Sequence, residues 1–101
     1  MYVFQFDERL QLALPVFNGL WEDIALAERE AIVYRWEQSR GTIPDRITEI
    51  EQIIQFKQNR LSLEEDFNKS CHINSEIAEL ASIITDLWIW YRKNLPTVWD
   101  S

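Results

Sequence analysis

The sequence predicts an all-α protein, an antiparallel bundle of about three long helices with a short extended N-terminal arm. Three observations lead there. Of 101 residues, 47% are hydrophobic and 13% aromatic, which is enough to build a core and too apolar for a disordered segment. Only two Gly and three Pro occur, and they fall where helices would start or stop. Over most of the chain apolar residues recur at spacings of three and four, the period of a helix face.

Residues 1–14 are the exception. Tyr2, Phe4 and Phe6 alternate with Val3 and Gln5, a period-2 pattern that suits an extended arm. A lone strand needs a partner, and the same segment of a second subunit would supply one, a first hint of a homodimer. Residues 15–40 read as helix 1, closed by Gly41, the residue type preferred just past a helix end. On a helical wheel Phe17, Leu20, Trp21, Ile24, Ala27, Ala31, Ile32 and Tyr34 share one broad arc, which is expected to face the core. Leu26, Val33 and Trp36 form a second, narrower strip on the side that carries Glu22 and Arg29.

Helix 2 is expected over residues 44–70. Pro44 suits a first helical position and Asp45 places negative charge at the positive end of the helix dipole. Ile43, Ile47, Ile50, Ile54 and Leu61 make its apolar stripe. Beyond Leu61 the apolar positions Leu63, Phe67 and Cys71 rotate by about 120° on the wheel. Ser62-Leu63-Glu64-Glu65 has the form of a capping box, so a break near Ser62 fits as well as one continuous helix. Helix 3 is placed over 75–94, with Asn74 or Ser75 as N-cap and Glu76 in the first turn. Its stripe, Ile77, Leu80, Ile84, Leu87 and Tyr91, has the rhythm of lengthwise packing against neighbours. Residues 95–101 form a tail pinned by Trp99, and residues 1–101 together make one domain.

Composition excludes several functions. The net charge of −7 is spread evenly along the chain, and it opposes attraction to nucleic-acid phosphates or anionic lipid. No direct nucleic-acid partner and no membrane partner is therefore expected. The longest apolar runs are five residues, as in Leu87 to Tyr91, against the roughly 20 a spanning helix needs. The N-terminus lacks the pattern of a secretory signal. A single cysteine, Cys71, cannot form an internal disulfide, and a cytoplasmic location is expected.

No catalytic residue and no cofactor is expected either. Cys71 and His72 are adjacent, so on a helix they point about 100° apart and do not converge on a metal or a substrate. Two glycines and one histidine build neither a phosphate-binding loop nor a Ser-His-Asp set. Glu76 and Glu79 form a Glu-x-x-Glu step that Asp86 extends along the same helix. All-α Mg²⁺-dependent nucleotide hydrolases use such steps on facing helices, but helix 2 carries no matching motif.

The more telling feature is five Trp in 101 residues, since large rings dominate cores and interfaces alike. Trp21, Trp88 and Trp90 read as core. Trp36, with Leu26 and Val33, lies on the outer strip, and Trp99 lies near the C-terminus, so these four are the candidate interaction residues. The expected function is that of a non-enzymatic interaction, assembly or regulatory protein that binds a protein partner or itself as a homo-oligomer. Two alternatives remain: a small Mg²⁺-dependent nucleotide hydrolase using Glu76, Glu79 and Asp86, and an acidic inhibitor of a nucleic-acid-binding protein.

Overall fold

A computed structural model describes residues 2–17 and 19–93. Trp99 and the rest of the tail lie outside them. The chain opens with a β-hairpin, β1 (Tyr2–Asp7) and β2 (Leu12–Phe17), paired antiparallel with Tyr2 opposite Phe17 and Asp7 opposite Leu12. The Asp7 carboxylate accepts a hydrogen bond from the Leu10 amide at 2.9 Å, the local closure that makes Asp a turn former. Gln11 then takes the left-handed conformation at φ 55°, and its amide nitrogen donates to the Glu8 carbonyl at 2.8 Å.

The protein is therefore predominantly helical with a small sheet, not all-α. The arm does not wait for a second subunit, because its strand partner is the next segment of the same chain. That partner includes Pro15, which reads as a helix start in isolation. In a two-stranded sheet every strand is an edge, so the missing proline N–H leaves no ladder position empty.

A 3-10 turn at Trp21–Asp23 leads into α1 (Leu26–Arg40). The late start changes which side of helix 1 faces inward. Residues 17–24 are not on its wheel at all. Its buried residues are Ile32 and Trp36, one turn apart, whereas Ala27, Ala31 and Tyr34 are exposed.

α2 (Ile43–Leu63) follows after two residues. Gly41 (φ −63°, ψ −19°) and Thr42 (φ −82°, ψ −12°) both keep helical backbone angles. The Arg46 amide already donates to the Thr42 carbonyl at 3.1 Å. α1 and α2 thus form one rod bent at Gly41–Thr42, rather than two antiparallel members of a bundle.

α2 and α3 (Phe67–Arg92) are the true antiparallel pair. The α2 stripe is the expected one, whereas on α3 only Leu87 of the expected stripe is buried and Ile73 and Ile83 join it. Ile43, Ile47 and Ile50 are buried on α2, and Ile73, Ile83 and Leu87 on α3. Leu80, Ile84 and Tyr91 pack half-buried against the same cluster.

The break between helices falls at residues 64–66, not at Ser70–Asn74. Asn74 and Ser75 are consequently inside α3 and cap nothing. The N-cap is Asp66, whose carboxylate accepts from the Lys69 amide at 3.0 Å, satisfying one of the four amides a helix start leaves open. Asp66→Ala is expected to cost about 1 kcal/mol of stability. Urea denaturation followed by circular dichroism measures it, and an unchanged midpoint would show that the cap does not hold α3.

The hairpin and α1 complete the core at one end. Leu10, Leu12, Ile24, Ile32 and Trp36 join the isoleucines of α2 and Leu87 of α3 in a single cluster. The far end of the α2–α3 pair projects beyond it, giving an elongated molecule of 60 × 21 × 19 Å. Among the described residues no helix is long and apolar enough to cross a membrane.

Candidate functional site

Of the four candidate interaction residues, Trp99 lies outside the described residues, and Trp36 does not share a surface with Leu26 and Val33. Trp36 is 1% exposed, and its ring meets Trp90 edge-on with centroids 5.6 Å apart. Its place on an outer strip is thereby corrected: it belongs to the core cluster that also holds Leu10 and Leu12 of the hairpin. Sequence periodicity misplaces it because the wheel is oriented on residues 17–24, which precede the helix that begins at Leu26. Trp88 moves the other way, to 37% exposure.

Leu26 and Val33 do share a surface. With Trp21, Arg29, Glu30 and Tyr34 they line an open groove of about 570 Å³. The groove lies between the 3-10 turn and the outward face of α1. Leu26 is 69% exposed and Tyr34 67%, while Val33 forms part of the floor and touches the core from outside.

Local chemistry builds this groove. Arg29, in the first turn of α1, folds back over the preceding segment. Its Nε donates to the Ile24 carbonyl at 2.8 Å and its Nη2 to the Glu22 carbonyl at 2.7 Å. The same guanidinium lies 5.8 Å from the centroid of the Trp21 ring, within the range of a cation–π contact. Arg29 therefore fastens the 3-10 turn against α1 and holds Trp21 at the groove wall.

The rim is acidic. Glu30 and Glu37 line it, Glu37 bonded to Arg40 at 3.0 Å, and the stretch 21–37 as a whole carries more acids than its two arginines, Arg29 and Arg35. Both arginines are engaged, since Arg35 stacks over the Phe4 ring of the hairpin at 4.4 Å. The result is an apolar floor edged by negative charge.

The carboxylates considered for a metal are arranged differently. Glu79 and Asp86 do converge, but around the guanidinium of Arg9 at the hairpin tip. Arg9 Nε is 3.0 Å from Glu79, Nη1 is 2.7 Å from Asp86, and Nη2 donates to Ser82 Oγ at 2.7 Å. The hydrogen bond to Asp86, followed by that to Glu79, raises the Arg9 pKa further above its already alkaline value. The guanidinium is therefore held in its charged form, with all three of its nitrogens bonded to α3.

Glu76 points elsewhere, to Lys57 Nζ at 3.2 Å and His72 Nε2 at 3.7 Å. Among the described residues no group of three or more His, Cys, Asp or Glu side chains is placed to hold a metal ion. Arg9 had no motif to announce it, since nothing in a sequence places a turn arginine 70 residues from its carboxylate. Cys71 and His72 are both exposed on α3.

Comparison with protein-family models, with curated proteins and with solved structures finds no significant match. The geometry alone carries the functional reading.

Proposed function

We propose that this is a non-enzymatic interaction protein, acting in the cytoplasm, that binds a protein partner through the groove of Trp21, Leu26, Val33 and Tyr34. The observation that supports it is the grouping of large apolar side chains, Leu26 and Tyr34 at 69% and 67% exposure, around one concave surface. Exposed apolar residues scattered singly need no explanation, but a contiguous set edged by charge has the makeup of a docking site. The acidic rim defines the partner's chemistry. An amphipathic segment with an apolar face and flanking Lys or Arg would fill the floor and meet Glu30 at the edge.

The hydrolase alternative has less to support it, because Arg9 already neutralises two of its three carboxylates. The acidic-inhibitor reading fares no better. Glu37, Glu49, Glu76, Glu79 and Asp86 are each paired with a cation, so these acids do not present an uninterrupted row to a nucleic-acid site.

The test is comparative affinity capture from the native lysate with three forms of the full chain: wild type, Leu26→Asp and the surface control Gln58→Asp. A partner held by wild type and by Gln58→Asp, and reduced at least tenfold by Leu26→Asp, supports the groove. A tenfold loss corresponds to about 1.4 kcal/mol, within reach of one anchoring leucine at an interface. Partners retained equally by all three forms would remove the groove from the account.

A further inference from the structure

The outer side of α2 carries a second apolar stripe, separate from the groove on α1. Arg46, Glu49, Ile53, Phe56, Arg60 and Leu63 follow one another at spacings of three, four, three, four and three, the a/d rhythm of a helix that pairs lengthwise. Phe56 and Leu63 lie off the face of Ile43, Ile47, Ile50 and Ile54 that packs in the core, while Ile53 borders α3 and Arg46 is half-buried. Ile53 is 40% exposed, Phe56 61% and Leu63 82%. Beside them α2 and α3 leave a groove of about 380 Å³ whose lining includes Ile53, Lys57, Glu76 and Leu80. The hairpin tip reaches the edge of this groove through Arg9 and Glu79, and Phe56 and Leu63 lie further along α2, exposed.

We infer that this stripe is the contact between two copies of the chain, packed antiparallel about a two-fold axis that passes between Ile53 and Phe56. The order of the residues is self-complementary in that arrangement. Ile53 of each copy faces Phe56 of the other, Glu49 faces Arg60, and the aliphatic stem of Arg46 covers Leu63. All six positions find a suitable partner over about 26 Å of helix. A parallel pairing sets Arg46, Glu49 and Arg60 each against its own copy, and like charges directly opposed are destabilising. Glu49 has only a long 3.4 Å contact to Arg46 within its own chain, and Arg60 has no ion-pair partner among the described residues. Arg46 takes only Oε2 of Glu49, so Oε1 can meet Arg60 of the second copy across the axis.

This inference is independent of the groove on α1 and can fail without it. The experiment is light scattering on a sizing column with the full chain, from micromolar to near-millimolar concentration. The expected result is a mass that rises from 12.1 kDa towards twice that value. Phe56→Asp should hold it at the monomer value with the helical circular-dichroism signal intact, and Leu26→Asp should leave the rise unchanged. Arg60→Glu should move the midpoint of the rise to at least tenfold higher concentration, and Glu49→Arg added to Arg60→Glu should restore it. A wild-type chain that stays monomeric throughout overturns the proposal. So does a dimer that survives Phe56→Asp or is lost with Leu26→Asp. A charge swap that fails to restore the dimer overturns the antiparallel register.

Discussion

Trp36→Ala is expected to remove about 4 kcal/mol of stability, the typical cost of emptying a large aromatic from a core. Against a total of about 5–15 kcal/mol for a domain of ordinary stability, that is roughly a quarter of the stability or more. The ring is 1% exposed and braced by Trp90, so little relaxation is available to close the cavity. Trp36→Phe should behave quite differently. The indole Nε1 is buried without a hydrogen-bond partner among the described residues, and an unsatisfied buried donor costs about 1–3 kcal/mol. Removing it offsets part of the lost packing, and the Phe variant is expected within about 1 kcal/mol of wild type. Urea denaturation of the three forms, monitored by tryptophan fluorescence and by circular dichroism, measures both steps. If Ala and Phe were equally mild, Trp36 would be on the surface after all.

Leu10→Ala is expected to cost about 3 kcal/mol, almost as much as a substitution in the helical core. Leu10 sits at the tip of a two-stranded hairpin, a position where most side chains are exposed and most substitutions neutral. Here it is 4% exposed. Asp7 fixes the turn beneath it and the neighbouring Arg9 holds the tip against Glu79 and Asp86 of α3. The hairpin is thus a wall of the core and not an arm laid over it. The same urea experiment decides this, since a loss under about 0.5 kcal/mol would place the hairpin outside the cooperative unit.

Much of the helical part is legible in the sequence because α2 and α3 pack on each other along their whole length. Each needs a single stripe, and Ile43, Ile47, Ile50 and Leu87 announce it by spacing alone. The N-terminal third is less legible because its determinants are not periodic. Pro15 is compatible with a helix start and with an edge strand, and only the pairing with Phe4 decides between them. The chain contains no Asn-Gly or Asp-Gly at the hairpin turn; Asp7 and a left-handed Gln11 do that work instead. Once β2 was read as helix, the wheel of helix 1 lost its phase, and Trp36 was turned from the core to the surface.

The cap is a finer case. Ser62-x-x-Glu65 and Asp66 both precede an apolar run, and sequence alone ranks the capping box first. Ser62 remains within the last turn of α2 because its hydroxyl donates to the Asn59 carbonyl at 2.8 Å, a local bond that a helix accommodates. Of the candidate site, Leu26 and Val33 could be assigned to one helix face, but the groove they line depends on Arg29 reaching back to Ile24 and Glu22. Such a reach joins a helix to irregular chain and has no repeat to reveal it.

The 60 Å length of the molecule has a thermodynamic consequence. Among the described residues the buried Leu10, Leu12, Ile24, Ile32, Trp36, Ile43, Ile47, Ile50, Ile83 and Leu87 belong to one cluster, and on the projecting part of the helical pair Ile73 is buried outside it. Burial of apolar surface is what makes opening costly, so the free energy of opening falls along the axis from the hairpin end to the turn at residues 64–66. The outer turns of α2 and α3 can fray and re-form many times while the Trp36 cluster stays closed. Local opening of the projecting helical ends therefore costs less than unfolding the whole chain, and any ligand covering those ends would raise that cost.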